Sequence, residues 1–195
     1  MIIDRIEHWE SYMQQKCSDI ADQHAKVQAS GDSFVFITDA HVPDNNMYSP
    51  ILIRRIVETT PVEMVVFGGD ALNWNSVKSS ALTRLRQWHT AFGFTTLYSV
   101  RGNHDANDEG SLATPEVTIT DEEFYWLMLS EVSKQVDHPL YYYHDNAAAK
   151  IRYLFLDTSH PTTGSMAQAQ VTWMRARIME LSSSWSVVVI MHQLF

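Results

Sequence analysis

Two hydrophobic periods alternate along the chain, and the alternation lays out its elements. Short, near-continuous apolar runs of β-type residues occur at SFVFIT (33–38), MVVFG (64–68), TTLYSV (95–100) and SVVVIM (186–191). That is the pattern of buried strands. Between them, apolar residues recur at helical spacing. Val77, Ala81, Leu85, Trp88 and Phe92 share one helix face, as do Val171, Met174 and Ile178, with Trp173 beside them. ILIRRIVETT is a further helix, ended by Pro61. Residues 1–30 read as one amphipathic helix, because Ile6, Met13, Ile20 and Val27 recur every seven residues, with Ile2 and Trp9 on a second seam. Such a stripe either packs on its own domain or pairs two copies of the chain as a homodimer.

Capping residues support this layout. Ser49-Pro50 has the form of an N-cap followed by proline at the first helical position. Ser76 and Ser165 can cap later helices, and Gly93 suits the position just after a helix end. Thr120 and Glu123 have the spacing of a capping box before DEEFYWLMLSEV. YYYH and IRYLFLDT, around Asp145-Asn146, read as an antiparallel pair of strands. The order is helix, βαβαβα, hairpin, α, β. It predicts a layered α/β domain over residues 31–195, preceded by the helix of residues 1–30.

The polar residues that follow the strands carry the chemistry. The first run empties into Asp39-Ala40-His41, the second into Gly69-Asp70-Ala71-Leu72-Asn73, the third into Arg101-Gly102-Asn103-His104-Asp105, and the last into His192. One Asp or His after a strand is usually a turn former or a structural side chain. Four such ends on parallel strands would meet along one edge, where open α/β sheets bind ligands. Carboxylate, imidazole and amide oxygen together suit borderline divalent ions such as manganese, iron or zinc. A carboxylate can bridge two such ions, roughly 3.5–4 Å apart, and the pair can drive in-line displacement at phosphorus. Asp70, on the middle strand, is the natural bridge. Arg101 could grip a phosphate through both guanidinium edges, or could simply be a turn residue.

Composition narrows the partners. The chain has 195 residues and a formal net charge of −9, with no Lys/Arg cluster, which disfavours nucleic acid as a target. A single cysteine excludes an intramolecular disulfide and zinc sites built on several thiolates. No apolar run is long enough to span a membrane, and the N-terminus lacks a signal-peptide pattern, so a cytoplasmic setting is expected.

These blocks resemble the calcineurin-like metallophosphoesterase family, whose pattern runs D-x-H, G-D, G-N-H-[DE], a lone His after a strand, then G-H-x-H. The resemblance extends from about Phe34 to the last residue. It implies a β-sandwich flanked by helices and two divalent metal ions. Asp39 and His41 would bind the first ion, Asp70 would bridge, and Asn103 and His192 would bind the second. His104 would contact the phosphoryl group or protonate the leaving oxygen, with Asp105 orienting it. The implied activity is hydrolysis of a phosphomonoester or phosphodiester by a metal-bound hydroxide. The G-H-x-H block does not occur, so the domain is expected to be incomplete at its C-terminus, as a piece of a longer protein. The alternative is a non-catalytic metal-binding or scaffold relative, active only when a missing segment or a partner is supplied.

Overall fold

The coordinates are a computed structural model that describes residues 2–26, 33–41, 48–73, 77–93, 96–108, 114–135, 137, 139–159 and 166–194. In chain order the elements are α1 (Ile2–Lys26), β1 (Phe34–Ile37), α2 (Tyr48–Thr59), β2 (Met64–Phe67), α3 (Lys78–Ala91), β3 (Leu97–Ser99), α4 (Asp121–Phe124, continued by a wider π-helical turn over Tyr125–Leu129), β4 (Tyr142–Asn146), β5 (Ile151–Leu156), α5 (Gln168–Met179) and β6 (Ser186–Met191). β1, β2 and β3 form a parallel sheet in that order. β4, β5 and β6 form a second sheet, antiparallel between β4 and β5 and parallel between β5 and β6. The expected mixed α/β architecture is therefore present: two small sheets with helices around them.

Aromatic residues carry the contact between the sheets. Tyr98 of β3 stacks on Phe155 of β5 at 5.5 Å, and Phe34 of β1 meets the edge of Tyr153 at 5.9 Å. Tyr98 also hydrogen-bonds His144 of β4 at 3.2 Å. The Tyr142 hydroxyl donates to the Ser99 carbonyl and accepts from the Ser99 N–H, both at 2.9 Å, tying β4 to the end of β3. On the other face of the parallel sheet, Trp88 of α3 packs on Phe67 at 5.2 Å. Ala81, Leu85, Trp88 and Phe92 are buried as their spacing predicts, whereas Val77 at the helix start is 68% exposed.

Not every apolar run is buried. β2 is enclosed throughout because it has a partner on each side. β1 stands at the edge of its sheet, and Phe34 and Phe36 are 38% and 48% exposed. β6 stands at the edge of the other, and Val189 is 41% exposed. Apolar composition identified these strands but not their edge positions, which follow from the order of pairing.

Helix ends agree in part. The Thr120–Glu123 capping box forms in both directions. Gly93 follows α3 with φ 70°, the left-handed value that ends a helix. α2 begins at Tyr48, so Ser49 and Pro50 lie inside its first turn. The boundary residues of α3 and α5 are Val77 and Ala167, neither of which caps through its side chain. Ser76 and Ser165 lie outside the described residues, as do the end of the first helix at Gly31 and its seam residue Val27. The β4–β5 turn follows Asn146, whose side-chain oxygen accepts from the N–H groups of Ala148 and Ala149.

α1 packs on α2 with Met13 and Cys17 turned inward, four residues apart. Ile20 and Trp9 of the heptad-like seams are 38% and 37% exposed. No helix among the described residues is long and apolar enough to cross a membrane.

The Tyr142 hydroxyl pairs with both backbone groups of Ser99 and so links the strands of the two sheets. Replacing it by Tyr142→Phe leaves Ser99 with a buried N–H and C=O unpaired. The expected cost is about 1–3 kcal/mol of folding stability, read from urea denaturation.

Candidate metal centre

The parallel register of β1, β2 and β3 sets the site, because it brings three strand ends to one edge. The ladder continues past the strands: Gly68 N–H donates to the Ile37 carbonyl, Asp39 N–H to Gly69 and His41 N–H to Asp70. These bonds hold Asp39, His41 and Asp70 in left-handed backbone, with φ of 53°, 39° and 60°. Among the described non-glycine residues only Asn107 and Lys150 share that conformation. Each such residue stores on the order of 1–3 kcal/mol of strain, which the surrounding bonds must hold.

Asp105 provides much of that hold. Its side chain is fully buried. One carboxylate oxygen accepts from Asp70 N–H and Gly102 N–H, both at 2.9 Å. The other accepts from Ala71 N–H at 2.8 Å and Leu72 N–H at 3.1 Å. Burial pushes its pKa up to about 6, against the pull of these N–H groups. The resemblance assigns Asp105 to orienting His104. In the structure both of its oxygens are taken by backbone of the loops after β2 and β3.

Two glycines let those loops touch. A Cβ on Gly102 would run into the Asp70 carboxylate and backbone, and one on Gly69, at φ 97°, would meet Gly102 backbone at 2.6 Å. The His104 N–H then donates to Asp70 Oδ1 at 2.9 Å.

Asp70 is the centre of the cluster. Its second oxygen, Oδ2, stands 3.3 Å from His192 Nε2, 3.7 Å from His104 Nε2 and 3.9 Å from His41 Nε2. Burial opposes its charge, but the His192 hydrogen bond, the His104 N–H and the two imidazoles outweigh it and hold its pKa below the usual range. His192 reaches in from the other sheet. Its Nδ1 donates to the Gly68 carbonyl at 2.8 Å, which leaves Nε2 facing Asp70 and Asn103. Burial disfavours the charged His192 ring, yet the bonds to Asp70 and Gly68 and the nearby carboxylates raise its pKa to about 9. His41 is tethered the same way, by Nδ1 to the Leu72 carbonyl at 3.1 Å. His104 lies 4.7 Å from the His41 ring, and burial lowers its pKa despite Asp70.

Two groups of ligating atoms result, His41 with Asp70 and His104, and Asp39 with Asp70 and His192, each with its atoms within 4.8 Å of one another. The donors fit a divalent ion. Both tethered imidazoles present Nε2 inward, and a backbone carbonyl on the other nitrogen is the usual way a ligating histidine is fixed. Asp70 belongs to both groups. His104, assigned by resemblance to the phosphoryl group, stands close enough to ligate as well. Asn103 Oδ1 is 3.0 Å from His192 Nε2, at the same cluster.

Arg101 turns away from this cluster into a polar network. Its Nε donates to Ser159 Oγ at 2.8 Å, and its two terminal nitrogens pair with Asp121 at 2.6 Å and Asp157 at 3.3 Å. It lines a cavity of about 450 Å³ with Asp108, Asp121, Tyr141, Asp157 and Gln170. Gln170 fixes that wall by bonding both the N–H and the carbonyl of Asp157 at 2.8 Å. Gln170 had no signal in the sequence, since a glutamine on a helix is ordinarily solvent-facing. Asp157 had one, as a carboxylate at a strand end. His160, Trp74 and Asn46, which follow strand ends in the sequence and are further candidates to line the site, lie outside the described residues.

A family model described as calcineurin-like phosphoesterase matches residues 33–193. A search of curated proteins gives no match.

Two outcomes follow from this geometry. Asp105→Ala leaves four N–H groups without their acceptor, all four on buried residues. The expected loss is at least about 3 kcal/mol of stability by chemical denaturation. Second, a divalent ion that takes His192 Nε2 as a ligand has to displace its proton at any pH below about 9. Manganese affinity is therefore expected to rise with pH from 7 toward 9, by up to about tenfold per unit, with proton release seen in calorimetry in buffers of different ionisation heat.

Proposed function

Because this chain belongs to the calcineurin-like phosphoesterase family, we propose that it hydrolyses a phosphomonoester or phosphodiester at a centre of two divalent ions bridged by Asp70. The observation that supports this most is a single buried carboxylate oxygen, Asp70 Oδ2, ringed by three imidazole nitrogens within 3.9 Å. A lone structural aspartate does not need three histidines, two of them fixed by backbone carbonyls.

In this reading Asp39, Asp70, Asn103 and His192 hold one ion, and His41, Asp70 and His104 hold or face the other, so Asp39 goes with His192 where the resemblance implied it would share an ion with His41. Bound ions supply a nucleophile at neutral pH and offset the charge of the phosphoryl group. The chain does the rest. The Gly68 and Leu72 carbonyls keep His192 and His41 in the ligating tautomer. Burial lowers the pKa of His104 and so disfavours the imidazolium that a proton donor needs, which suits it better to ligating an ion or contacting the phosphoryl group than to protonating the leaving oxygen. Asp105 acts by holding the two loops in register rather than by polarising His104. Mixed oxygen and nitrogen donors favour manganese, iron or zinc.

The cavity beside Arg101 is where the organic half of the ester would lie. Arg101 grips the phosphate only by giving up one carboxylate partner, and Asp121, with its side chain 74% exposed, is the one free to swing away. The net charge of −9 keeps polyanionic nucleic acid the least favoured substrate.

The test is hydrolysis of an aryl phosphate by the manganese-loaded chain, with metal content by elemental analysis. Near two ions per chain are expected. Asp70→Asn should lose on the order of 10–100-fold in rate together with bound metal. Parent-like turnover in that variant would reject the mechanism. Full metal loading with no turnover on mono- or diesters would favour a binding or scaffold role.

A further inference from the structure

One side chain at the cluster belongs to none of the motifs. Gln193 follows His192 directly. Its backbone N–H donates to the Oγ of buried Thr158 at 2.9 Å, which anchors the chain just past β6. Its side-chain Nε2 donates to Asn103 Oδ1 at 2.9 Å, the same oxygen that lies 3.0 Å from His192 Nε2. The other end of the amide, Oε1, is buried with no hydrogen-bond partner among the described residues.

That orphan oxygen indicates which bond matters. A buried acceptor without a donor costs about 1–3 kcal/mol, so native structures seldom keep one without a reason. Turning the Gln193 amide over would point Oε1 at Asn103 Oδ1, acceptor against acceptor. Turning Asn103 over as well would put its NH₂ where its oxygen now faces Asp70 and His192. Asparagine can ligate a cation only through oxygen, and its two amide faces differ little in shape. Something must therefore decide which face looks inward. The Gly68 carbonyl cannot do so, because it fixes only His192.

We propose that Gln193 is the positioning residue for Asn103: its Nε2–H holds the Asn103 amide with Oδ1 toward the metal site. One lone pair of Oδ1 takes the Gln193 proton, and the other, which faces His192 Nε2 at 3.0 Å, is open to the ion once that nitrogen is itself a ligand. The inference rests on the reading of Asn103 and His192 as metal ligands. Gln193 itself touches neither ion nor substrate. It acts through the orientation of its neighbour, as outer hydrogen-bond partners do in metal sites generally.

The experiment is a manganese titration of the full chain, following free ion by its paramagnetic resonance signal, alongside thermal melting of the metal-free protein. Gln193→Glu keeps the shape but replaces the donor with an acceptor, which favours the wrong face of Asn103. It should weaken the affected site by about tenfold or more. Gln193→Ala should weaken it less, because it leaves the amide free rather than reversed. The decisive arm uses Asn103→Asp. A carboxylate has oxygen on both sides and cannot be wrongly turned. On that background Gln193→Ala should change manganese affinity by less than about twofold. Parent-like affinity in both Gln193 variants overturns the proposal, and so does an equal loss in the Asn103→Asp background, which would mark a general structural role. If the parent takes up no manganese, the metal reading fails and the role of Gln193 fails with it. If the parent binds and Asn103→Ala binds equally well, Asn103 is not a ligand, and the proposal falls while the rest of the site stands.

Discussion

The four hydrogen bonds to Asp105 hold together everything that makes this site possible. The carboxylate sits where the loop after β2 turns against the loop after β3, and it accepts N–H groups from both. Without such an acceptor, four peptide N–H groups would point at one another in a region closed to water. With it, the backbone of Gly69 and Gly102 can come into contact, and Asp70 is carried to the middle of the cluster. The cost is a carboxyl pushed up to about 6 by its burial. The arrangement tolerates that cost because the donors are fixed peptide groups that need no further ordering.

Strain gathers at the same place. Asp39, His41 and Asp70 all take left-handed backbone, which bulky L residues avoid. Continuation of the parallel ladder beyond the strands supplies the bonds that keep them there. The ligating side chains are thus aimed by backbone that would relax if the loops were free. Backbone fixed this way limits how far these side chains would have to reorder on binding a ligand.

The two sheets contribute unequally. The parallel sheet supplies Asp39, His41, Asp70, Asn103 and His104 through consecutive strand ends. The mixed sheet supplies His192 and Gln193, together with the Asp157 and Ser159 wall that engages Arg101. Contact between the sheets through Tyr98, Phe155 and the Tyr142 hydroxyl is therefore also what sets the distance from His192 to Asp70. A guanidinium beside the cluster is held between two carboxylates, so its charge is largely balanced before a phosphate approaches.

Much of this was legible in the chain by itself. Apolar runs named β1, β2, β3 and β6, the hairpin pattern named β4 and β5, helical spacing named most of the α3 face, and the capping box at Thr120 formed as written. The residue types after the strands identified a metal and phosphate chemistry, because ligand preference is a property of the side chains. Only the tertiary structure decided the rest. It made β1 and β6 edge strands, turned Arg101 into a network, directed Asp105 to four peptide groups instead of His104, and brought in Gln170 and Gln193, which no motif marks. The physical reason is range. Periodicity and donor chemistry are written in neighbouring residues, whereas the partner of a hydrogen bond is chosen among groups that lie tens of residues away and meet only once the sheets have closed.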